Sequence, residues 1–143
     1  MDCSLATEGK EEVIKAMKRV LSIGQCAADD FALSRAIRRH FDAEVIAAQT
    51  AAEALDKLRE NSFSLVLVNR VFDADDTSGI EFIKELKIEE NLRQVPVMLV
   101  SNHQDAQREA VEAGAVPGFG KGALGQPPML ARLDPFLEAR HPA

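Results

Sequence analysis

The sequence has no tryptophan and no tyrosine, and only two of its 143 residues are cysteines. Two cysteines cannot build the disulfide framework of a small secreted domain, so a reducing, cytoplasmic location is expected. The N-terminal stretch MDCSLATEGKEEV is polar and acidic, so we do not expect a secretion signal. No apolar run reaches the roughly 18 residues of a membrane-spanning helix, and no membrane association is predicted.

An excess of basic charge is also missing. The chain has 17 basic residues (Lys and Arg) against 23 acidic ones, which gives a formal net charge of −6. A dedicated nucleic-acid-binding protein needs a basic surface to displace phosphate counterions, so nucleic acid is not an expected partner. Hydrophobic residues make up 46% of the chain and charged residues 28%, as in a globular protein, and the length suits one domain.

The main pattern present is an alternation of short apolar runs with helical periodicity. The runs lie at 20–23, 45–48, 63–68, 95–100 and 116–119. Two of the intervening helices begin with capping boxes, at Thr50 and Ser78, and Asp29 or Asp30 is the predicted cap of the first helix. Strict alternation predicts an α/β fold with a parallel sheet between helices. Five strands fit the flavodoxin-like (βα)5 doubly wound order 2-1-3-4-5.

The predicted domain covers residues 19–140, and residues 1–18 form an N-terminal extension. Val13, Ile14 and Met17 have helical spacing, so a short helix is one interpretation of this extension, and a frayed leader is the other.

Ligands of doubly wound sheets bind beyond the carboxyl ends of the strands. The residues that follow the predicted strands are therefore the candidate site residues. They are Gly24 and Gln25 after strand 1, Asn69 at the end of strand 3, Ser101 after strand 4 and Lys121 after strand 5.

These strand ends resemble those of the receiver domain of bacterial response regulators. The resemblance rests on FSLVLVN at 63–69, SGIEFI at 78–83, VPVMLVS at 95–101, and EAGA at 112–115 followed by Lys121. It implies that Asn69 stands at the phosphoacceptor position and that Gly24 and Gln25 stand at the acidic-pair positions. Ser101 and Lys121 match the family's functional residues. The position of the switch aromatic holds Gly118, with Phe119 displaced by one, and Gly122 replaces the usual proline.

The side chain of Asn69 is unsuited to phosphoryl transfer. The reaction needs an ionised oxygen as nucleophile and a divalent cation that offsets charge. An amide supplies no such oxygen, and Gly24, Gln25 and Asn69 offer no carboxylate to magnesium. No metal site and no cofactor are therefore predicted, and the chain is not expected to be an enzyme.

Other carboxylates leave alternatives open. Asp29 and Asp30 could themselves be the acidic pair, in which case strand 1 would shift to 22–28. Asp73, Asp75 and Asp76 could reach the pocket from the loop after Asn69, although a solvated turn rich in aspartate is the favoured interpretation. Lys121 has lost its usual carboxylate partners, and three outcomes are considered. It bonds the Asn69 side-chain oxygen, it pairs with one of the loop aspartates, or it turns to solvent.

The resemblance implies a role in two-component or phosphorelay signalling. We expect a stand-alone receiver-like domain that is not phosphorylated and acts by protein contact, through the face formed by helix 4, strand 5 and helix 5. A homodimer is one form that this contact could take. The alternative is an active phosphoacceptor receiver with a non-standard acidic site. A flavin or nucleotide binder of the same fold is disfavoured, because no glycine-rich phosphate loop follows strand 1 and no Trp or Tyr can stack on a flavin.

Overall fold

The structure is a computed structural model, and it describes residues 17–140. The predicted extension at 1–18 therefore lies almost wholly outside the described residues. The elements in chain order are β1 (Lys18–Ile23), α1 (Ala27–His40), β2 (Ala43–Ala48), α2 (Ala51–Glu60), β3 (Leu65–Asn69), α3 (Gly79–Ile88), β4 (Val97–Val100), α4 (Gln104–Glu112), a 3₁₀ turn (Lys121–Ala123) and α5 (Pro127–Leu133).

Four strands form one parallel sheet in the order β2-β1-β3-β4. The order confirms the predicted flavodoxin-like topology for these strands. β3 is buried along its whole length, as a central strand of a parallel sheet should be. No helix in the described part of the chain is long and apolar enough to cross a membrane.

Helices cover both faces of the sheet. Alternate strand residues point to opposite faces, so β1 sends Val20 to one core and Leu21 to the other. The first core is completed by α1 and α5, through residues such as Ile37 and Met129. The second is completed by α2, α3 and α4, with Phe82 among its largest side chains. The carboxyl ends of the strands are thus left as the open edge between the two helical layers.

Two of the three predicted helix caps are confirmed. Thr50 accepts a hydrogen bond from the Glu53 N–H, and Ser78 accepts one from the Glu81 N–H. The prediction for α1 was wrong, because the helix begins two residues before Asp29. Its N-cap is Cys26, whose Sγ accepts from the Asp29 N–H at 3.4 Å. Asp29 still lies in the first turn of the helix, where its negative charge interacts favourably with the helix dipole.

The predicted fifth strand at 116–119 does not form, and only a single parallel bridge joins Phe119 to Val100. The Val116 N–H still donates to the Val97 carbonyl at 2.9 Å. At the next rung, the side-chain amide of Gln107 enters between the segments. Its Nε2 donates to the Leu99 and Phe119 carbonyls, at 2.9 and 3.3 Å, and its Oε1 accepts from the Gly118 N–H at 3.3 Å. A side chain from α4 thus replaces part of the β4–β5 ladder.

Removing this amide should loosen the segment after α4. We expect Gln107→Ala to lower the free energy of unfolding by about 2 kcal/mol, because the Leu99 carbonyl and the Gly118 N–H lose their side-chain partner. Urea denaturation followed by far-UV circular dichroism measures the change. The matched control is Gln104→Ala on the same helix, whose exposed side chain makes no hydrogen bond within residues 17–140. Equal stability of the two variants would contradict the role given to Gln107.

Candidate functional site

Three of the predicted site residues meet at the carboxyl ends of β3 and β4. Asn69, Ser101 and Lys121 line one cleft of about 230 Å³, together with His103. Asn69 and Ser101 are buried there, and the Lys121 side chain is one-third exposed. The topology therefore brings together residues that are up to 52 positions apart in the sequence, 121 − 69 = 52.

The side chain of Asn69 makes three hydrogen bonds to the backbone. Its Nδ2 donates to the carbonyl oxygens of Gly24, at 2.9 Å, and Val71, at 2.7 Å. Its Oδ1 accepts from the Arg70 N–H at 3.1 Å. The amide thus ties the end of β3 to the end of β1. A carboxylate in the same place would face two carbonyl oxygens with no proton to donate.

The position of Gly24 is closed to a side chain by a residue that sequence reasoning missed. The loop after β3 folds back over β1, where the Asp73 N–H donates to the Gly24 carbonyl. This places the fully buried ring of Phe72 against Gly24. A Cβ at Gly24 would lie 2.7 Å from Phe72 Cγ and closer still to Cδ1, and the backbone φ of Gly24 is +79°. The space beside β1 is therefore filled by an aromatic ring.

Gln25, the second predicted acidic-pair position, does not join the cleft of Asn69. It is buried, and it lines a different recess, between β2 and the start of α1. The two positions that follow β1 are thus separated in space. Gly24 contacts Asn69 through its backbone, whereas Gln25 faces the other helical layer.

None of the three outcomes considered for Lys121 is what the structure shows. Its Nζ donates to Asp29 Oδ2 at 2.7 Å, so the lysine crosses to the first turn of α1. The Asn69 Oδ1 accepts the Arg70 N–H instead of the lysine. The Lys121 ammonium, as a hydrogen-bond donor and a positive charge, holds the pKa of Asp29 below its usual value, against the opposing effect of burial.

The other aspartates considered as a replacement acidic site lie in α1 and in the loop after β3. β1 ends at Ile23, so Asp29 and Asp30 are helical residues, and the shifted alignment with a strand at 22–28 was wrong. Asp73, Asp75 and Asp76 are exposed, and Asp75 caps its own turn by accepting from the Thr77 N–H. Within residues 17–140, no group of three or more His, Cys, Asp or Glu side chains is placed to hold a metal ion.

The retained serine has a local structural partner. Ser101 Oγ accepts from the His103 N–H at 3.1 Å, in the turn that leads to α4. The Ser101 backbone N–H donates to the Phe119 carbonyl. Gly118, at the predicted switch position, packs its Cα so close to the Leu99 carbonyl that no side chain fits. An aromatic side chain is therefore excluded at 118, and the buried ring is that of Phe119.

A larger groove lies beside the cleft. It encloses about 800 Å³ between α4 and the segment after it, with Gln107, Val111 and Gly118 among its lining residues. Val111 is 43% exposed there. This is the face formed by α4, the fifth segment and α5.

Residues 26–122 match the family model of the response regulator receiver domain. The chain belongs to the response regulator receiver domain family. The match begins after β1 and ends beside Lys121, and it includes Asn69 and Ser101. No curated protein matches the chain.

Solved structures with the same fold include response regulators. A response regulator from Thermotoga maritima is 22% identical with a TM-score of 0.68, covering 84% of this chain and 97% of that one. The chemotaxis response regulator CheY4 of Vibrio cholerae is 18% identical with a TM-score of 0.64, covering 83% and 97%. NtrX from Brucella abortus is 18% identical with a TM-score of 0.71, covering 85% of this chain and 27% of NtrX. These likenesses support the receiver fold, and the receiver domain is a module of two-component signalling.

Proposed function

We propose that this receiver domain acts by binding a protein partner in the cytoplasm and is not phosphorylated at Asn69. It would be a binding module and not an enzyme. The observation that carries the proposal is the hydrogen bonding of the Asn69 amide. Its Nδ2 donates to the carbonyls of Gly24 and Val71, whereas a carboxylate would face both oxygens and donate to neither, so the site favours an amide over a carboxylate.

The surroundings of Asn69 support the same conclusion. Phosphoryl transfer to a carboxylate needs a divalent cation next to the acceptor oxygen. Magnesium takes hard oxygen ligands, and at this edge of the sheet the ring of Phe72 occupies the space beside Gly24. Lys121, the cation that would stabilise a phosphoryl group, is engaged by Asp29. Nucleophile, metal ligands and lysine are thus all unsuited to the reaction.

Incubation with acetyl phosphate and magnesium tests the proposal. We expect the intact mass of the protein to stay unchanged, while an active receiver domain treated in parallel gains one phosphoryl group. An adduct on this chain would favour an active receiver with a non-standard acidic site. Peptide mapping would then identify the acceptor among Asp29, Asp30 and the loop aspartates.

The proposed contact surface is the groove between α4 and the segment after it. Its floor is partly apolar, through Val111 and Phe119, and its rim carries Arg108, Arg132 and Glu112. An apolar centre with a polar rim is typical of protein interfaces. The segment that forms one wall is held to β4 by the Val116 N–H, by one bridge at Phe119 and by the Gln107 side chain, so it can adjust to a partner more easily than a full strand.

A charge placed in the groove should block this contact. We expect Val111→Asp to reduce capture of the partner from the source cells at least tenfold, because a carboxylate would be desolvated in the interface. The matched control is Ile88→Asp, at the end of α3, which is 79% exposed and does not line the groove. Quantitative mass spectrometry of the captured proteins makes the comparison. Equal loss in both variants would place the contact elsewhere, and a second copy of this chain among the captured proteins would indicate a homodimer.

A further inference from the structure

The buried polar groups that lack a partner are concentrated at one place in the fold. Within residues 17–140, four buried side-chain atoms have no hydrogen-bond partner: Ser22 Oγ, both amide atoms of Gln25, and Asp30 Oδ1. Ser22 is 1% exposed and Gln25 is 8% exposed. All three residues line the same recess between β1, β2 and α1, with a volume of about 300 Å³.

The recess exists because small side chains face each other across it. Ala47 stands beside Ser22 in the register of β1 and β2, and Ala27 and Ser34 of α1 lie opposite. None of these is large enough to fill the space between helix and sheet. Ala47 is exposed on β2, the edge strand of the sheet, so the recess opens to solvent at this edge. The exposed ring of Phe31 forms another part of its rim.

An unpaired polar group in the interior lowers stability, and native proteins pair nearly all such groups with protein, water or ligand. Four unpaired atoms around one open recess therefore indicate a binding site. Its volume is at the lower end of the range for small-molecule sites, which start at about 300 Å³. The site is separate from the cleft of Asn69, with which it shares no lining residue. It does not depend on the proposal about phosphorylation.

The chemistry of the lining selects the class of ligand. Asp30 is the only charged residue among those that line the recess, so an anion is disfavoured. Asp30 Oδ1 and Gln25 Oε1 are acceptors, Ser22 Oγ both accepts and donates, and Gln25 Nε2 is a donor. Acceptors predominate and one of them is a carboxylate. A ligand that brings several N–H donors and a positive charge satisfies them best.

We propose that this recess binds a small organic cation, an amidine, guanidine or amine. Its charged head group donates to Asp30, Gln25 and Ser22, and its body lies at the rim near Phe31. A receiver domain that takes up such a molecule between α1 and β2 would respond to a small-molecule signal at a site distinct from the phosphoacceptor position.

The test is a titration of the full ¹⁵N-labelled chain, followed by two-dimensional NMR, with benzamidine, guanidine and methylamine as probes. We expect saturable shifts of the Gln25 side-chain amide and of the backbone amides of Ser22 and Asp30 with at least one probe. Benzoate, which has the ring of benzamidine and the opposite charge, should cause none. Absence of saturable shifts with all three cations, or equal shifts with benzoate, would overturn the proposal.

Amino-acid substitutions distinguish binding in the recess from a general attraction of cations to the acidic protein. Asp30→Asn should weaken binding of the responding cation about tenfold or more, as for the loss of one charge-assisted hydrogen bond. Asp56→Asn, an exposed position on α2, makes the same change of charge and should leave the affinity unchanged. Ala47→Leu fills the recess from the exposed edge strand without touching a polar group, and it should abolish binding. Undiminished binding by Ala47→Leu would also overturn the proposal.

Discussion

The variant Asn69→Asp is expected to lower the free energy of unfolding at pH 7 by about 2–3 kcal/mol, although the two side chains have nearly the same size. The new carboxylate oxygen would face the carbonyls of Gly24 and Val71, which now accept the Asn69 Nδ2 at 2.9 and 2.7 Å. Water cannot replace the lost hydrogen bonds to these carbonyls, because the site is buried and Asn69 is only 8% exposed. Urea denaturation followed by far-UV circular dichroism measures the loss.

The loss should depend on pH in a defined direction. Repulsion by the two carbonyls disfavours the charged form, so the pKa of the introduced Asp in the folded state is raised above the value of about 3.9 in the unfolded chain. At pH values below the pKa of this Asp in the unfolded chain, the carboxyl group is protonated in both the folded and the unfolded state. Its O–H can then donate to one of the two carbonyls. The destabilisation relative to the parent should therefore be smallest at low pH and grow as the pH rises through about 4 and above.

Asn91→Asp provides the control for this variant. Asn91 is exposed in the turn after α3, so the same chemical change there should alter stability by no more than about 0.5 kcal/mol. If Asn69→Asp were as stable as Asn91→Asp across this pH range, the site would tolerate a carboxylate. The structural argument against an aspartate at position 69 would then fail.

The second large effect is expected for Gly24→Asp, which restores an acid at a predicted acidic-pair position. We expect a loss of roughly 3 kcal/mol or more, the sum of a left-handed backbone and an overpacked contact with Phe72. Thermal and urea unfolding of the variant measure this loss. Magnesium titrated onto the variant should not recover the lost stability, because the Phe72 ring occupies the space next to the new side chain.

Gly125 allows the two contributions to be separated. Its φ is +75°, close to that of Gly24, but a Cβ there meets no atom within 4 Å. Gly125→Asp therefore reports the backbone contribution alone, expected at about 1 kcal/mol. The excess loss in Gly24→Asp measures the clash with Phe72. In a double-mutant cycle, Phe72→Ala should cost less in the Gly24→Asp background than in the parent, and strict additivity would contradict the contact.

Much of the fold follows from local patterns, and its exceptions have identifiable causes. The capping residues Thr50 and Ser78 act within four residues of sequence, so their roles could be predicted from spacing alone. The fifth strand was predicted from the short run VPGF at 116–119, yet it is reduced to a bridge. The cause is Gln107, eleven residues before Gly118, whose side chain competes for the carbonyls and N–H of the ladder.

The candidate site could likewise be predicted from the sequence only in part. The identity of Asn69, and its lack of a nucleophilic oxygen, could be stated from the sequence. The ring of Phe72 could not be placed, because it reaches Gly24 through a loop whose path depends on hydrogen bonds to β1. An aromatic residue in an otherwise polar loop, FDADDT at 72–77, was the one available signal.

The sequence by itself determined that strands and helices alternate, and that the carboxyl edge of the sheet holds an amide where a receiver domain uses an acid. It did so because periodicity and residue chemistry are local properties. The tertiary structure decided the partners. Lys121 is bound to Asp29, 92 residues away, and Gln25 faces a recess behind α1 instead of the cleft of Asn69. With 23 carboxylates in the chain, only the distances set by packing could select the one that meets the lysine.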